Sequence, residues 1–144
     1  MWTDVKYLYD FFEKNKSSLE YFQIKSVKEA VNLTLKEVEH IQERLYELTQ
    51  NSNKQLDELF KNLDDNQYHE SQLSKQKLSH RWLRLYAIKI ESNHYVITGG
   101  ALKLVHKMKQ SELTLNEKAT IEKCRNYLLD QGVYDADTFY ELIL

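Results

Sequence analysis

The sequence of 144 residues lacks proline altogether, and it has only three glycines and a single cysteine, Cys124. Sandwiches, barrels and glycine-rich phosphate loops use proline and glycine in their turns, so this scarcity argues against those folds and favours helices. One cysteine cannot form an intrachain disulfide. No apolar run approaches the length of a membrane span, and the first residues have no signal-peptide character. We therefore expect a cytoplasmic protein without a membrane partner.

What the composition does contain is typical of a folded protein. Hydrophobic residues make up 42% of the chain and charged residues 29%, which is too apolar for a disordered chain. A chain of this length buries one sizeable core but hardly two. We expect a single domain over residues 1–144.

Positive charge is concentrated in one segment of an otherwise acidic chain. The whole chain carries 20 Lys and Arg against 22 Asp and Glu, a net charge of −2. Residues 75–109 contain eight cations and one anion, Glu91, so their net charge is +7 and that of the remaining residues is −9. Such a segment is typical either of a surface that attracts a polyanion or of a solvated lysine-rich face.

The first part of the chain has the apolar spacing of helices. Thr3 or Asp4 can cap a first helix that ends near Asn15. Residues 20–24 fit either a short strand or a helical turn, and the pattern does not separate the two.

A long amphipathic helix is the strongest structural signal. Ser26 and Glu29 form a capping-box pattern, and an apolar stripe runs from Val27 to Leu48 at helical spacing. After a polar break, residues 56–63 predict a shorter helix that returns antiparallel to the long one.

The apolar period then changes to that of strands. Residues 82–90, 95–98 and 101–106 alternate as strands do, and Gly99 and Gly100 predict a bulge or tight bend between the last two. Together these runs predict a small antiparallel meander.

Two helices are expected at the C-terminus. A second capping-box pattern opens a helix at Thr114 that Gly132 ends, and Asp135 or Asp137 begins a short final helix. Cys124 is expected on the inner face of the longer of these helices. The predicted fold is α+β, with an N-terminal helical hairpin packed on a small antiparallel β-meander and followed by C-terminal helices. Its predicted boundaries are helices in 1–65, a loop in 66–78, the β-meander in 79–109 and C-terminal helices in 114–144.

Several kinds of chemistry have no support in the residues. Zinc sites need clustered Cys or His, and the glycine pair lacks the further residues of a phosphate loop or a dinucleotide fingerprint. No carboxylate pair or nucleophile elbow stands out. We expect neither a metal nor a cofactor.

The basic meander remains as the candidate site. Cleavage of RNA through its own 2′-hydroxyl needs a base, an acid and cations that neutralise the phosphorane, but no metal. Arginine, lysine and histidine supply these groups, and tyrosines can stack on bases. Alternation makes Lys103 and His106 diverge unless the strand ends before His106.

The same segment resembles a known family. The runs Leu83–Ile90, Tyr95–Leu104 and His106–Lys109, placed after a long helical hairpin, are similar to the RelE/ParE/HigB superfamily of bacterial toxins over roughly residues 20–109. The resemblance implies helices packed on an antiparallel sheet, a cognate antitoxin and, for many members, ribosome-dependent mRNA cleavage. It also implies an arginine on a central strand, matched by Arg84, and basic or histidine residues on the last strand.

These arguments give one main hypothesis and one alternative. The chain is expected to be the toxin of a toxin–antitoxin pair, with RNA or the ribosome as its target and metal-independent endoribonuclease activity. The alternative is a non-enzymatic module whose basic meander binds an acidic protein partner. The candidate catalytic residues are Arg84, Lys103, His106 and Lys107, and the candidate nucleic-acid-binding residues are Lys75, Lys77, Arg81, Tyr86, Lys89, Tyr95 and Lys109.

Overall fold

A computed structural model describes residues 2–50, 56–63, 73–104 and 112–143 of the chain. These residues fall into two compact units, one containing 2–50 with Leu104 and the other containing 56–63, 73–103 and 112–143. The N-terminal helices, the four-stranded antiparallel sheet and the C-terminal helices confirm the α+β class. The expected single domain over 1–144 stays a prediction.

In the first unit, the first helix is capped as its sequence indicates. Helix α1 spans Val5–Lys14, and the Asp4 side chain accepts a hydrogen bond of 3.1 Å from the Tyr7 backbone N–H. Asn15 caps the C-terminal end. A 3₁₀ helix then covers Lys16–Phe22, so the open question at residues 20–24 is answered in favour of helical turns.

The long helix α2 spans Val27–Gln50. The Ser26 Oγ accepts a hydrogen bond of 3.1 Å from the Glu29 N–H, and the Glu29 carboxylate accepts one of 3.2 Å from the Lys25 N–H. The apolar stripe lies inward, and α1 packs on this helix. The stripe is therefore core, as predicted, and its fully buried members include Val31, Val38, Ile41 and Leu48.

The predicted helix at residues 56–63 is wrong. The structure has a 3₁₀ turn at Leu56–Glu58 and a two-residue strand β1 at Lys61–Asn62. The strand hydrogen-bonds to the next strand, and Phe60 and Leu63 are buried on either side of it. Pairing with a sheet satisfies the backbone here, so the expected helical hairpin with α2 does not form.

The sheet has the strand order β1-β2-β3-β4, and every neighbouring pair is antiparallel. Strand β2 spans Ser74–His80, where the sequence predicted part of a loop over 66–78. Its polar composition hides the alternation: Leu78 and the amide of Gln76 are buried, and Gln76 Nε2 donates to Asn62 Oδ1 and Ser74 Oγ. A buried amide whose hydrogen bonds are formed thus occupies a position where alternation predicts an apolar residue.

Strand β3 spans Leu83–Glu91, and strand β4 spans His94–Leu102 without a break. The two strands predicted at 95–98 and 101–106 are therefore one strand that ends before Lys103, and residues 105–106 lie outside the described part. Tyr86 pairs with Gly99 and Ala87 pairs with Ile97, so Thr98 is the extra residue of a β-bulge. The expected irregularity exists, but it bends the strand without ending it.

Helix α3 spans Glu112–Asp130 and packs on one face of the sheet. It begins before Thr114, so the predicted capping box at that residue is wrong. The helix ends as predicted, with Gly132 at φ 79° and the Val133 N–H bonded to the Leu128 carbonyl at 3.0 Å. Helix α4 spans Ala136–Ile143, and Asp135 accepts the Thr138 N–H at 2.9 Å.

Candidate functional site

The sheet separates the predicted site residues onto two faces. Antiparallel register and strand alternation place one group on the face that α3 covers and the other on the opposite face. Arg81 lies in the turn between β2 and β3, and Lys103 directly follows β4. His106, Lys107 and Lys109 lie outside the described residues. The α3 face carries Lys75, Lys77, Arg84 and Tyr86, and the opposite face carries Lys89 and Tyr95.

Arg84 is held in place at the β2–β3 turn. Its Nη1 donates to the Arg81 carbonyl at 2.7 Å and to the Leu83 carbonyl at 2.9 Å. The Arg81 guanidinium lies 5.6 Å from the centre of the Trp82 ring, a distance typical of a cation–π contact. Burial lowers the pKa of Arg84, although nearby Tyr86 opposes this effect. The Arg84 charge is therefore partly desolvated and has a defined position.

Lys103 lies beside Arg84. Its backbone N–H donates to the Trp82 carbonyl at 2.7 Å, which fixes the chain just after β4. Burial lowers the pKa of Lys103, and the positive charges of Arg84, Lys77 and Lys118 lower it further. Arg84 on β3, Lys77 on β2 and Lys118 on α3 are therefore each within electrostatic range of Lys103.

We refer to Lys77, Arg84, Lys103 and Lys118 as the basic cluster. Within the described part of the chain, none of its three lysines forms an ion pair. Like charges that lie close together destabilise one another unless an anion lies between them. The cluster therefore has unpaired positive charge that can attract an anion.

Glu117, the residue before Lys118 on α3, lies against the sheet at Gly99. A side-chain Cβ at Gly99 would overlap Glu117 Oε2, so the carboxylate lies where only glycine leaves room on β4. Glu117 Oε2 is buried and has no hydrogen-bond partner. Burial raises the pKa of Glu117. Tyr86 pairs with Gly99 across the strands, and its pKa is raised. Burial is the main cause; the charge of Arg84 opposes the shift, and Glu117 adds to it.

Neither Glu117 nor Lys118 is among the site residues predicted from the sequence. The capping-box pattern that begins at Thr114 has Glu117 as its fourth residue, whereas α3 begins five residues before Glu117 and carries it to the sheet. The one available signal was the glycine pair, because a bare backbone permits close approach of another group. Nothing in a single sequence indicates which helix makes that approach.

Two of the predicted nucleic-acid-binding lysines are already paired with acids. Lys75 Nζ lies 2.7 Å from Glu122 Oε2 on α3, and Lys89 Nζ lies 3.4 Å from Asp57 Oδ1 on the opposite face. These ion pairs give both lysines a structural role within the second unit. Neither lysine is part of the basic cluster.

The two tyrosines proposed to stack on bases are poorly placed for that role. Tyr86 is only 2% exposed and belongs to the core under α3. The Tyr95 ring stacks on Phe60, with 4.6 Å between centres, and its hydroxyl donates to Asp57 Oδ1 at 2.6 Å. In this structure both rings contribute to packing, because their sheet positions face other protein groups.

Asp57 ties the 3₁₀ turn to the β3–β4 turn. Besides Tyr95, the Ser92 hydroxyl donates to its Oδ2 at 2.7 Å and the Asn93 N–H donates to its Oδ1 at 3.3 Å. Burial alone would raise the pKa of Asp57, but these hydrogen bonds and the charge of Lys89 outweigh it and lower the pKa. The carboxylate of Asp57 therefore stabilises the face opposite the basic cluster.

Other kinds of site find little support. Over the described ranges there is no group of three or more His, Cys, Asp and Glu side chains arranged to hold a metal ion. Cys124 is partly buried and packs on the core of the second unit, which agrees with its predicted inner position. Among the helices of the described chain, none has both the length and the apolar character needed to cross a membrane.

Comparisons with known proteins add no assignment. No protein-family model, curated protein or solved structure matches the chain. The toxin resemblance therefore rests on the residues quoted for it.

Replacement of Asp57 by Asn tests the network on the opposite face. A lowered folded-state pKa stabilises the protein above the ordinary carboxyl pKa, and that stabilisation is lost as the pH falls through the folded-state value. We expect Asp57→Asn to lower the free energy of unfolding by about 2 kcal/mol at neutral pH, because charged hydrogen bonds are lost. The deficit should shrink in acid.

Chemical denaturation at a series of pH values measures this difference. Glu58→Gln, at the exposed neighbouring position, serves as the control and should change stability little. An Asp57→Asn variant as stable as the parent at neutral pH would contradict the assigned role of Asp57.

Proposed function

We propose that the basic cluster binds a phosphate group of RNA and that the protein acts on RNA as the toxin of a toxin–antitoxin pair. The observation that carries the proposal is the convergence of Lys77, Arg84, Lys103 and Lys118 at one end of one sheet face. A cognate antitoxin and the ribosome are partners that follow from the toxin resemblance, and they belong to the same proposal.

The form of the cluster favours phosphate over an acidic protein segment. A phosphate group is compact and presents several oxygens, and arginine binds such groups through its planar fork while lysine acts as a point charge. Arg84 on β3, Lys77 on β2 and Lys118 on α3 come from separate elements, but all three lower the pKa of one lysine, Lys103. An extended acidic peptide would instead fit a row of separated cations.

The cluster also suits metal-independent cleavage of RNA. Attack of the 2′-oxygen on the adjacent phosphorus builds negative charge on a phosphorane, and cations fixed beforehand stabilise that charge. The Arg84 guanidinium donates hydrogen bonds to the Arg81 and Leu83 carbonyls, which hold it in position. The backbone of Lys103 is held by its hydrogen bond to the Trp82 carbonyl. The proposed roles of His106 and Lys107 in proton transfer stay predictions, since those residues lie outside the described ranges.

Removal of single charges from the cluster should weaken RNA binding. We expect Lys103→Gln and Lys118→Gln to reduce affinity for a short oligouridylate by about tenfold each, because each loses a charged contact. The plot of log association constant against log salt concentration has a negative slope, and its magnitude should decrease by about 0.7 for each lysine removed. Fluorescence anisotropy over a salt series measures both quantities.

Lys123→Gln provides a matched control on α3, because Lys123 is exposed and is not in the cluster. It should leave affinity and salt slope close to those of the parent. Equal losses in all three variants would indicate general electrostatic attraction and overturn the assignment of the cluster. Absence of RNA binding together with salt-dependent binding of an acidic peptide would favour the interaction-module alternative.

Induced expression in bacteria tests the toxin part of the proposal. We expect the parent to arrest growth and cleave transcripts, and Lys103→Ala to reduce cleavage by about 10²- to 10³-fold, as loss of one charge-stabilising group does. Circular dichroism and thermal unfolding check that the variant is folded. Harmless expression of the parent, or full toxicity of the folded variant, would contradict the proposal.

A further inference from the structure

The two edge strands of the sheet are protected to different degrees. Edge strand β1 is two residues long, and one of the two is Lys61. Edge strand β4 is nine residues long and has neither a charged residue nor proline between His94 and Leu102. Natural sheets blunt an exposed edge with short strands, charges or proline, because its unpaired N–H and C=O groups can pair with another chain. Among the described residues, no strand pairs with the outer edge of β4.

The residues of β4 favour pairing with a further strand. Val96, Ile97 and Thr98 are β-branched, and Ile97 is 53% exposed although it lies in the middle of the strand. The bulge at Thr98 bends the strand, which offers some protection of the edge. On its two sides, Tyr95–Ile97 and Gly99–Leu102 pair residue by residue with β3. The edge is therefore regular on both sides of the bulge.

The beginning of β4 lies among acids. Glu91, the last residue of β3, is exposed, and its Oε1 accepts a hydrogen bond of 2.5 Å from the N–H of the first residue of α4. This bond brings Asp135 and Asp137 to the same end of the strand. Asp57 also lies at this turn, where Lys89 neutralises it. The remaining charges at this end are negative.

The other end of β4 is basic. Lys103 directly follows the strand, and Arg84 pairs with Ala101 close to the same end. Nine residues at about 3.3 Å each place the two ends roughly 27 Å apart, more than twice the roughly 10 Å over which salt screens exposed charges. The edge therefore has an acidic beginning, an uncharged middle and a basic end that act as separate charges.

We propose that two copies of the protein associate through β4, with the two strands paired antiparallel about a two-fold axis so that the two sheets become one. Antiparallel pairing places the acidic end of each strand beside the basic end of the other, and both ends then attract. Parallel pairing would bring like charges together, and a partner strand with one sign of charge would match only one end. The inference does not rest on the proposed function, because it requires neither RNA nor catalysis.

Sedimentation velocity of the whole protein over a concentration series tests the association. Pairing of two edge strands buries less surface than a standard interface, so we expect a dimer with a dissociation constant on the order of 10 µM at low salt. The dimer should weaken as salt screens the charges at the two ends. A parent that stays monomeric at roughly 500 µM and low salt would overturn the proposal.

Ile97→Lys adds to β4 the kind of charge that protects natural edges. Because Ile97 is exposed, the variant should fold, and the two lysines of a dimer would repel each other near the axis. We expect the dimer affinity to fall by about tenfold or more. Tyr127→Lys on α3 is the matched control, since Tyr127 is 57% exposed, and it should dimerise as the parent does. Equal dimerisation by the two variants would show that β4 is not the contact.

Reversal of charge at the two ends tests the antiparallel arrangement. Glu91→Lys and Lys103→Glu should each weaken the dimer by about fivefold, because each removes an exposed attraction at both ends of the dimer. The double variant should recover most of the lost affinity, since opposite charges meet again. Thermal unfolding checks each variant, because Glu91 also binds the start of α4. A folded double variant that dimerises no better than the single variants would contradict the antiparallel pairing.

Discussion

The packing of α3 on one face of the sheet is the constraint on which the candidate site depends. Ile121 and Leu128 of the helix belong to one buried cluster with Tyr86 and Ile88 of the central strand. The Arg125 side chain also donates to the Leu73 carbonyl at 2.8 Å, beside the start of β2. This docking brings Lys118 towards the cations of the sheet and places Glu117 over Gly99. Without the helix, the cluster would lack Lys118 and Gly99 would not be covered by Glu117.

Charged groups in unfavourable surroundings occur on the sheet face that α3 covers. The basic cluster brings like charges within range of Lys103, and at Gly99 on the same face Glu117 Oε2 is buried without a hydrogen-bond partner. On the opposite face the reverse holds, because Asp57 accepts hydrogen bonds from Tyr95, Ser92 and the Asn93 backbone and pairs with Lys89. Perturbed charged groups that gather at one site are typical of a binding or catalytic site.

The parts of the fold that could be predicted are those with strong local signals. Asp4 and Ser26 cap their helices through side-chain hydrogen bonds, and Gly132 supplies the left-handed residue that ends α3. The apolar stripe of α2 is also a local signal, because its helical spacing repeats over six consecutive turns of the chain. Strand β3 likewise follows from its alternation.

The parts that could not be predicted depend on distant partners. Residues 61–62 become a strand because β2 pairs with them, and β2 itself is hidden by the buried amide of Gln76. The cations Arg84 and Lys103 were identified from charge and alternation. Glu117 and Lys118 were missed because only the docking of α3 brings them to the sheet, and the same docking buries Tyr86.

The central claim is that the α3 face, and not the opposite face, is where the protein meets a phosphate group. Side-chain nitrogen NMR signals of Lys103, Arg84 and Lys89, followed during titration with oligouridylate at low salt, test this claim most directly. We expect the Lys103 and Arg84 signals to shift until saturation, while the signal of Lys89, which is paired with Asp57, stays unchanged. Shifts confined to Lys89, or equal small shifts at all three residues, would contradict it.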